Sequence, residues 1–230
     1  MKNYIKLLTL VLCIAIYSCS GSDDSGDDGG SGGGDLVPQA TYRITFTTNF
    51  TEETHPTDYP DNASFDKVFI AAHSASQNIF IIGNVASDGL KSYAEDGDLT
   101  TLLNEHSGGD DNTAMTIITS NSSIATNANA SFDINVIPTT TRISFVSKIS
   151  PSPDWFVGVP SINLVNGNEL IESASYRLFP LDAGSDSGSS YESPDSPEPG
   201  PITEIQTLHI SGGPTGSTQI GTLSIERIDN

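Results

Sequence analysis

From Tyr42 onward the chain alternates apolar and polar residues with a period of two. Tyr42, Ile44 and Phe46 are interleaved with Arg43, Thr45 and Thr47, and the pattern returns at Phe132, Ile134 and Val136 and at Ile143 and Phe145. Successive side chains of a strand point to opposite faces, so each run reads as a half-buried β-strand. Further candidates lie at 67–72, 79–82, 114–119, 155–159, 175–180, 204–210 and 219–228, parted by clusters of Gly, Pro, Asn and Asp. This is the spacing of an antiparallel β-sandwich. The helical candidate is 87–105, where Leu90, Tyr93, Ala94, Leu99, Leu102 and Leu103 predict one or two short helices broken at Gly97. Residues 193–201, with Pro at 194, 197, 199 and 201, fit neither a helix nor a central strand and are expected to run along a sheet edge.

With 230 residues, the chain has room for one domain after an N-terminal leader and linker. A formal net charge of −20 argues against nucleic acid, whose phosphates require clustered Lys and Arg. Residues 1–18 carry Lys2 and Lys6 and an apolar stretch from Ile5 to Tyr17, too short for a resident membrane span, and read as an export signal. The segment Ile16-Tyr17-Ser18-Cys19 resembles the lipobox of bacterial lipoproteins, with a looser match at Tyr17, which implies that Cys19 becomes a lipidated N-terminus. Cys13 lies in the leader, so the mature chain keeps no thiol for a disulfide or for cysteine-ligated zinc or iron–sulfur sites. Residues 19–40 form an acidic, Gly/Ser-rich tether, whose reach over 20–35 is roughly 20–25 Å. Acidic residues just after the lipidated Cys resemble a surface-export signal, which implies lipid anchoring at the outer membrane with the domain, 41–230, facing the medium.

Two short runs bear on chemistry. Pro151-Ser-Pro-Asp-Trp155 and Asp182-Ala-Gly-Ser-Asp-Ser-Gly188 supply three carboxylates, Asp154, Asp182 and Asp186, for one hard cation. The second run is too rich in Gly and Ser to stay helical, so both of its carboxylates are free to turn toward one centre. It fails the EF-hand template: counted from Asp182, Gly184 stands third, Ser187 sixth and Ser193 twelfth, where a carboxylate or amide, a Gly and a Glu are wanted. A calcium site shared by two loops of a β scaffold is the better reading, and the ion is expected to be structural more than ligand-bridging. Trp155 is expected to pack in the core beneath it.

Several blocks together resemble the spondin domain. They are Tyr42-Arg-Ile-Thr-Phe46, Thr54-His-Pro-Thr-Asp-Tyr-Pro60, Ala72-His-Ser74, Ala86-Ser-Asp-Gly-Leu-Lys91, Pro151-Ser-Pro-Asp-Trp-Phe-Val-Gly158 and Asp182-Ala-Gly-Ser-Asp-Ser-Gly188, in order from about 41 to 205. The resemblance implies an all-β antiparallel sandwich akin to calcium-dependent phospholipid-binding modules, with calcium held by loop aspartates at one end. Asp154, Asp182 and Asp186 stand where the family's three calcium-binding aspartates stand. Animal members act in extracellular matrix and cell attachment, which implies a surface protein or glycan as partner. The chain lacks their cysteines and following repeat modules.

Elsewhere the chemistry is sparse. His55 and His73 are expected to orient backbone and His209 to be structural. His106, followed by Ser-Gly-Gly-Asp-Asp, is expected to sit in a solvated loop, ahead of a weak zinc site with Asp110 or Asp111. No Gly-x-Ser-x-Gly elbow is present, and His73 beside Ser74 is adjacency only, so no enzyme is expected.

Overall fold

The computed structural model describes residues 39–56, 58–108, 115–205 and 219–229. Strands β1 (Ala40–Thr48), β2 (Ser64–Phe65) and β3 (Phe69–His73) precede helices α1 (Asp88–Asp96) and α2 (Leu99–His106). Next come β4 (Thr116–Thr119), β5 (Ile124–Ala125), β6 (Asn129–Val136), β7 (Arg142–Ser150) and β8 (Trp155–Asn163). They are followed by β9 (Val165–Asn166), β10 (Glu169–Leu170), β11 (Ser173–Leu178), β12 (Pro180–Asp182), β13 (Thr203–Glu204) and β14 (Gly221–Arg227).

The alternation along β1 decides the smaller sheet, ordered β11-β14-β1-β6 with antiparallel neighbours. Tyr42, Ile44 and Phe46 point inward, fully buried, while Arg43 pairs outward with Asp133 across the register at 2.8 Å. The larger sheet runs β13-β12-β8-β7-β2-β5, with β3 also on β7 and carrying β4. Between the two lies the main core, in which Phe46 meets Phe65 and Phe145 edge-on at centroid distances of 5.1 and 5.0 Å. Trp155 is 2 % exposed within it, as expected.

A second core covers the other face of the larger sheet. Phe69, Val146, Phe156 and Leu181 pack there against Leu90, Tyr93, Ala94, Leu99 and Leu102 of the helices. The architecture is therefore a β-sandwich with a helical layer on one face. This corrects the reading of 143–145 as half-buried: Ile143 through Ile149 are buried without interruption, because helices cover the face that alternation would leave to water. The helix break falls at Gly97, whose φ of 73° places it in the left-handed region while its N–H closes α1 onto the Tyr93 carbonyl. Tyr93 fixes this layer to the sheet by donating to the Lys67 carbonyl at 2.6 Å and accepting from the Lys148 N–H at 2.9 Å.

Other boundaries shift for physical reasons. Residues 79–82 form no strand; Ile79 and Phe80 reach into the second core from a turn, while Ile81 and Ile82 stay exposed. An apolar run without alternation does not distinguish a strand from a loop whose side chains plug a core. The 175–180 candidate divides at Phe179, because β11 belongs to the smaller sheet and β12 to the larger. Of 204–210, only Glu204 is strand, as the end of β13, and 206–210 lie outside the described residues.

The proline-rich run pairs with the 184–187 loop beyond β12, not with a strand, and its spacing explains how. The N–H groups of Ser196, Glu198 and Gly200 donate to Asp186 Oδ2, the Ser185 carbonyl and the Gly184 carbonyl, at 2.6, 2.9 and 2.6 Å. Pro197, Pro199 and Pro201 occupy the alternate positions, where no donor is needed.

Candidate functional site

Strand register brings the two aspartate loops together. In the β8–β12 pair, Asp182 lies opposite Trp155, so the chain leaving β12 passes directly beside the residue that precedes β8. That residue is Asp154, fully buried at the end of the 150–154 turn, whose Ser150–Pro151 bond is cis. Its carbonyl accepts from Ala183 N at 3.2 Å. Its carboxylate Oδ2 accepts from the N–H groups of Ser185 at 2.8 Å and Asp186 at 3.1 Å and from the Ser185 hydroxyl at 3.2 Å. Asp154 Oδ1 is buried and has no hydrogen-bond partner.

The other two carboxylates brace their own loop. Asp182 Oδ1 accepts from Gly184 N at 2.7 Å, and Asp186 accepts from Gly188 N and Ser196 N, both at 2.6 Å. Each carboxylate oxygen carries two acceptor sites, so these bonds leave lone pairs on every one of them. Burial pushes Asp182 up to about 6, with the negative charges of Asp154 and then Asp186 adding to the effect against the Gly184 N–H. Asp154 and Asp186 thus both bear on Asp182 through space. They stop short of a closed cage: among the described residues, no three His, Cys, Asp or Glu side chains stand together in ligating geometry. The donor set is all oxygen and contains an unpaired buried carboxylate oxygen, the donor chemistry that a hard cation takes.

Sequence reasoning passed over the groups that hold this arrangement. Ser185 supplies two of the three donors on Asp154, and Ser152 bonds to Trp155 N at 3.1 Å, fixing the turn from within. Lys148 lies behind it, 4 % exposed, donating from Nζ to the Ala94 carbonyl at 2.5 Å and the Ser152 carbonyl at 3.0 Å. Its ammonium thus joins the last turn of α1 to the loop bearing Asp154. A lone Lys in an apolar strand gives no sequence signal beyond breaking the pattern.

Burial depresses Lys148 to about 8, although Asp66 and Asp154 pull the other way. Between pH 8 and its ordinary value of 10.5 the unfolded chain then binds more protons at this residue than the folded one. Its contribution makes stability rise with pH across that window. Lys148→Met is expected to flatten that rise in urea-unfolding midpoints and to cost about 1–3 kcal/mol at neutral pH, through the carbonyls it leaves unpaired.

Of the histidines, His73 is held at both ring nitrogens, whereas Nε2 of His55 and of His106 is buried without a hydrogen-bond partner. His73 Nδ1 meets the Ser74 carbonyl at 2.8 Å and Nε2 the Ser144 hydroxyl at 2.7 Å, with His73 and Ser144 both fully buried. His55 Nδ1 lies 2.8 Å from the Thr54 hydroxyl. Burial lowers the pKa of His55, His73 and His106. Asp110, Asp111 and His209, like Cys19 and the leader and tether, lie outside the described residues.

Comparison with known proteins accounts for this arrangement of blocks. The family model Spondin_N matches residues 40–213. The chain belongs to the spondin N-terminal domain family. Its spondin domain is similar to rat Spondin-2, 31 % identical over 199 residues that make up 84 % of this chain and 60 % of that protein. It is also similar to human Spondin-2, 34 % identical over 67 % of this chain and 48 % of the relative. With rat Spondin-1 it shares 33 % identity over 82 % of this chain and 25 % of the relative. The match thus spans at most 60 % of these relatives. Among the described residues no helix is long and apolar enough to cross a membrane.

Proposed function

We propose that this spondin domain is a calcium-binding adhesion module, anchored by lipid on Cys19 at the outer membrane surface and presented to a surface protein or glycan on its acidic tether. The observation that carries the calcium reading is the buried, unpaired Oδ1 of Asp154 beside two further carboxylates. A carboxylate oxygen shut away from water and from donors is costly unless a cation meets it. Asp154, Asp182 and Asp186 would hold the ion, leaving a net charge of about −1, and carbonyls and water would complete its 6–8 oxygens. Magnesium fits less well, since it demands tight octahedral geometry and gives up water reluctantly. An affinity between about 10⁻⁶ and 10⁻³ M is expected.

Adhesion is supported by membership of the spondin family, whose animal members the sequence blocks resemble. Water on the ion is the natural place for a partner's carboxylate or sugar hydroxyl to bind. Calorimetric titration with calcium, magnesium and chelator tests the ion: heat of binding selective for calcium is expected, and its absence would sink the central claim. A second reading, a structural envelope lipoprotein whose ion only ties loops together, draws on Asp186, both of whose oxygens already serve the loop backbone. Binding to cell or matrix surfaces that survives Asp182→Asn and Asp186→Asn in a folded protein would favour it.

A further inference from the structure

Strands β3, β7 and β8 are joined at one point by side chains as well as by the ladder. Between β7 and β8 the register slips from Ile143, opposite Ile162, to Phe145, opposite Val159, so Ser144 faces two residues, Pro160 and Ser161. Pro160 has no N–H to give, and at this bulge the Ser144 hydroxyl donates to its carbonyl. The same hydroxyl meets Nε2 of His73, from β3, at 2.7 Å, and Nδ1 of that ring meets the Ser74 carbonyl at 2.8 Å. His73 and Ser144 are both 0 % exposed.

Three bonds in a row need three protons. Carbonyl oxygens only accept, so Nδ1 must carry a proton for Ser74, and Ser144 must give its single proton to Pro160. The bond between Nε2 and Ser144 then exists only if Nε2 carries a proton as well, which makes the ring an imidazolium. With a neutral ring, the Nε2 lone pair and the Pro160 carbonyl compete for one hydroxyl proton, and one of them goes without it. A buried acceptor deprived of its donor is costly, and so is a buried cation. The two protonation states of His73 therefore differ in which strands its hydrogen bonds connect.

We propose that His73 is a proton-operated clasp across these three strands. In its neutral form Nε2 takes the Ser144 hydroxyl proton, and the bond to Pro160 on β8 is released. When a proton from solvent adds to Nε2, the ring donates to Ser144, Ser144 turns its own proton to the Pro160 carbonyl, and an unbroken chain of bonds ties β3 through β7 to β8. The surroundings set where this happens. Burial opposes the charge first, the Ser74 and Gln77 backbone favours it, and Arg142 from β7 and His106 from α2 oppose it through space. Glu105, beside His106, favours a proton on that histidine. Burial prevails, so the clasp takes its proton below the ordinary 6.5. There the unfolded chain binds more protons at this residue than the folded one, and stability is lost as the pH falls below 6.5. None of the three carboxylates assigned to calcium belongs to this chain of bonds, so the inference stands apart from the calcium reading.

The test is NMR of the full-length protein in chelator, with nitrogen-labelled histidine and carbonyl-labelled proline, from about pH 7.5 down to about pH 4.5. A ring protonated at Nδ1 alone is expected at the upper end and at both nitrogens at the lower, with the Pro160 carbonyl shifting in the same step. Ser144→Ala should weaken proton binding by His73 about tenfold, because the cation loses a charge-assisted bond where the neutral ring loses an ordinary one. A His73 that merely packs would titrate alike in both proteins. Should Ser144→Ala fail to fold, the Pro160 carbonyl of the wild-type chain decides the matter by itself. A ring that stays neutral until the protein unfolds, a neutral ring protonated at Nε2 in place of Nδ1, a titration untouched by Ser144→Ala, or a Pro160 carbonyl that does not move with the ring each overturns the proposal. Running in chelator keeps this outcome separate from any failure of calcium to bind.

Discussion

At the proposed site calcium is expected to raise the melting temperature of the wild-type protein, and replacing Asp154 with Asn to cancel that rise. At a hundred times its dissociation constant the ion stabilises the native state by roughly 2.7 kcal/mol. For a domain of this size that corresponds to a shift of about 5–11 °C. Asn keeps the shape of the side chain and an oxygen for the Ser185 and Asp186 N–H groups, which anchor the 182–188 loop. It removes the charge and offers an amide where Oδ1 now stands unpaired. The variant should therefore fold and melt near the wild-type value in chelator, yet show no calcium response; an undiminished shift would remove Asp154 from the site.

The same experiment carries a pH signature. Asp182 is raised in the folded protein to about 6 from its ordinary 3.8, first by burial and then by the charge of Asp154. The folded chain thus holds this proton more tightly than the unfolded one. Without metal, the stability that protonation contributes is fully present below pH 3.8 and is lost as pH rises through about 6. At the proposed site calcium is expected to take the proton's place above that point. The calcium-induced shift should accordingly be largest above pH 6 and shrink as pH falls below it, where proton and ion compete for Asp182. A shift of constant size from about pH 7.5 to about pH 5 would contradict this role for Asp182.

Gly184→Ala is expected to produce the largest loss of stability of any single methyl added to these loops. Gly184 sits at φ 69°, which L side chains rarely adopt, and a Cβ built there would lie 2.6 Å from both the Gly200 and Pro201 carbonyl oxygens. Those atoms are backbone and cannot rotate aside. Gly200 N also donates to the Gly184 carbonyl at 2.6 Å, so relieving the clash pulls apart the strip that joins the carboxylate loop to the proline-rich edge. Gly167 is the internal control, with φ 66° and nothing within 4 Å of its Cβ position. Gly167→Ala should cost about 1 kcal/mol from backbone conformation alone, and Gly184→Ala about 3 kcal/mol, with overpacking added. Urea midpoints measure the difference, and equal losses would show that the crowding at Gly184 is not what holds the loop.

Much of this protein was written along its chain. The period of two through Tyr42, Ile44 and Phe46 specified β1 and its buried face, because alternation is a property of a single strand and needs no partner. Gly97 marked the helix break for a similarly local reason. Prolines at 197, 199 and 201 kept the run out of helix and central strand, since a missing N–H is a local fact. Asp154, Asp182 and Asp186 were nameable from residue type and from the resemblance of their blocks, and the β8–β12 register does bring their loops together.

What tertiary structure alone decided depends on which groups meet across the fold. The unbroken burial of β7 follows from a helical layer arriving on its second face, and the plugging of that layer by Ile79 and Phe80 turned an expected strand into a turn. Lys148 on the Ala94 carbonyl, the Ser185 donors on Asp154, and the Tyr191 ring between Trp155 and Phe50 each depend on elements that only the fold brings side by side. No window of sequence holds both partners, and the hydrogen bond or its absence exists only once packing has set the distance.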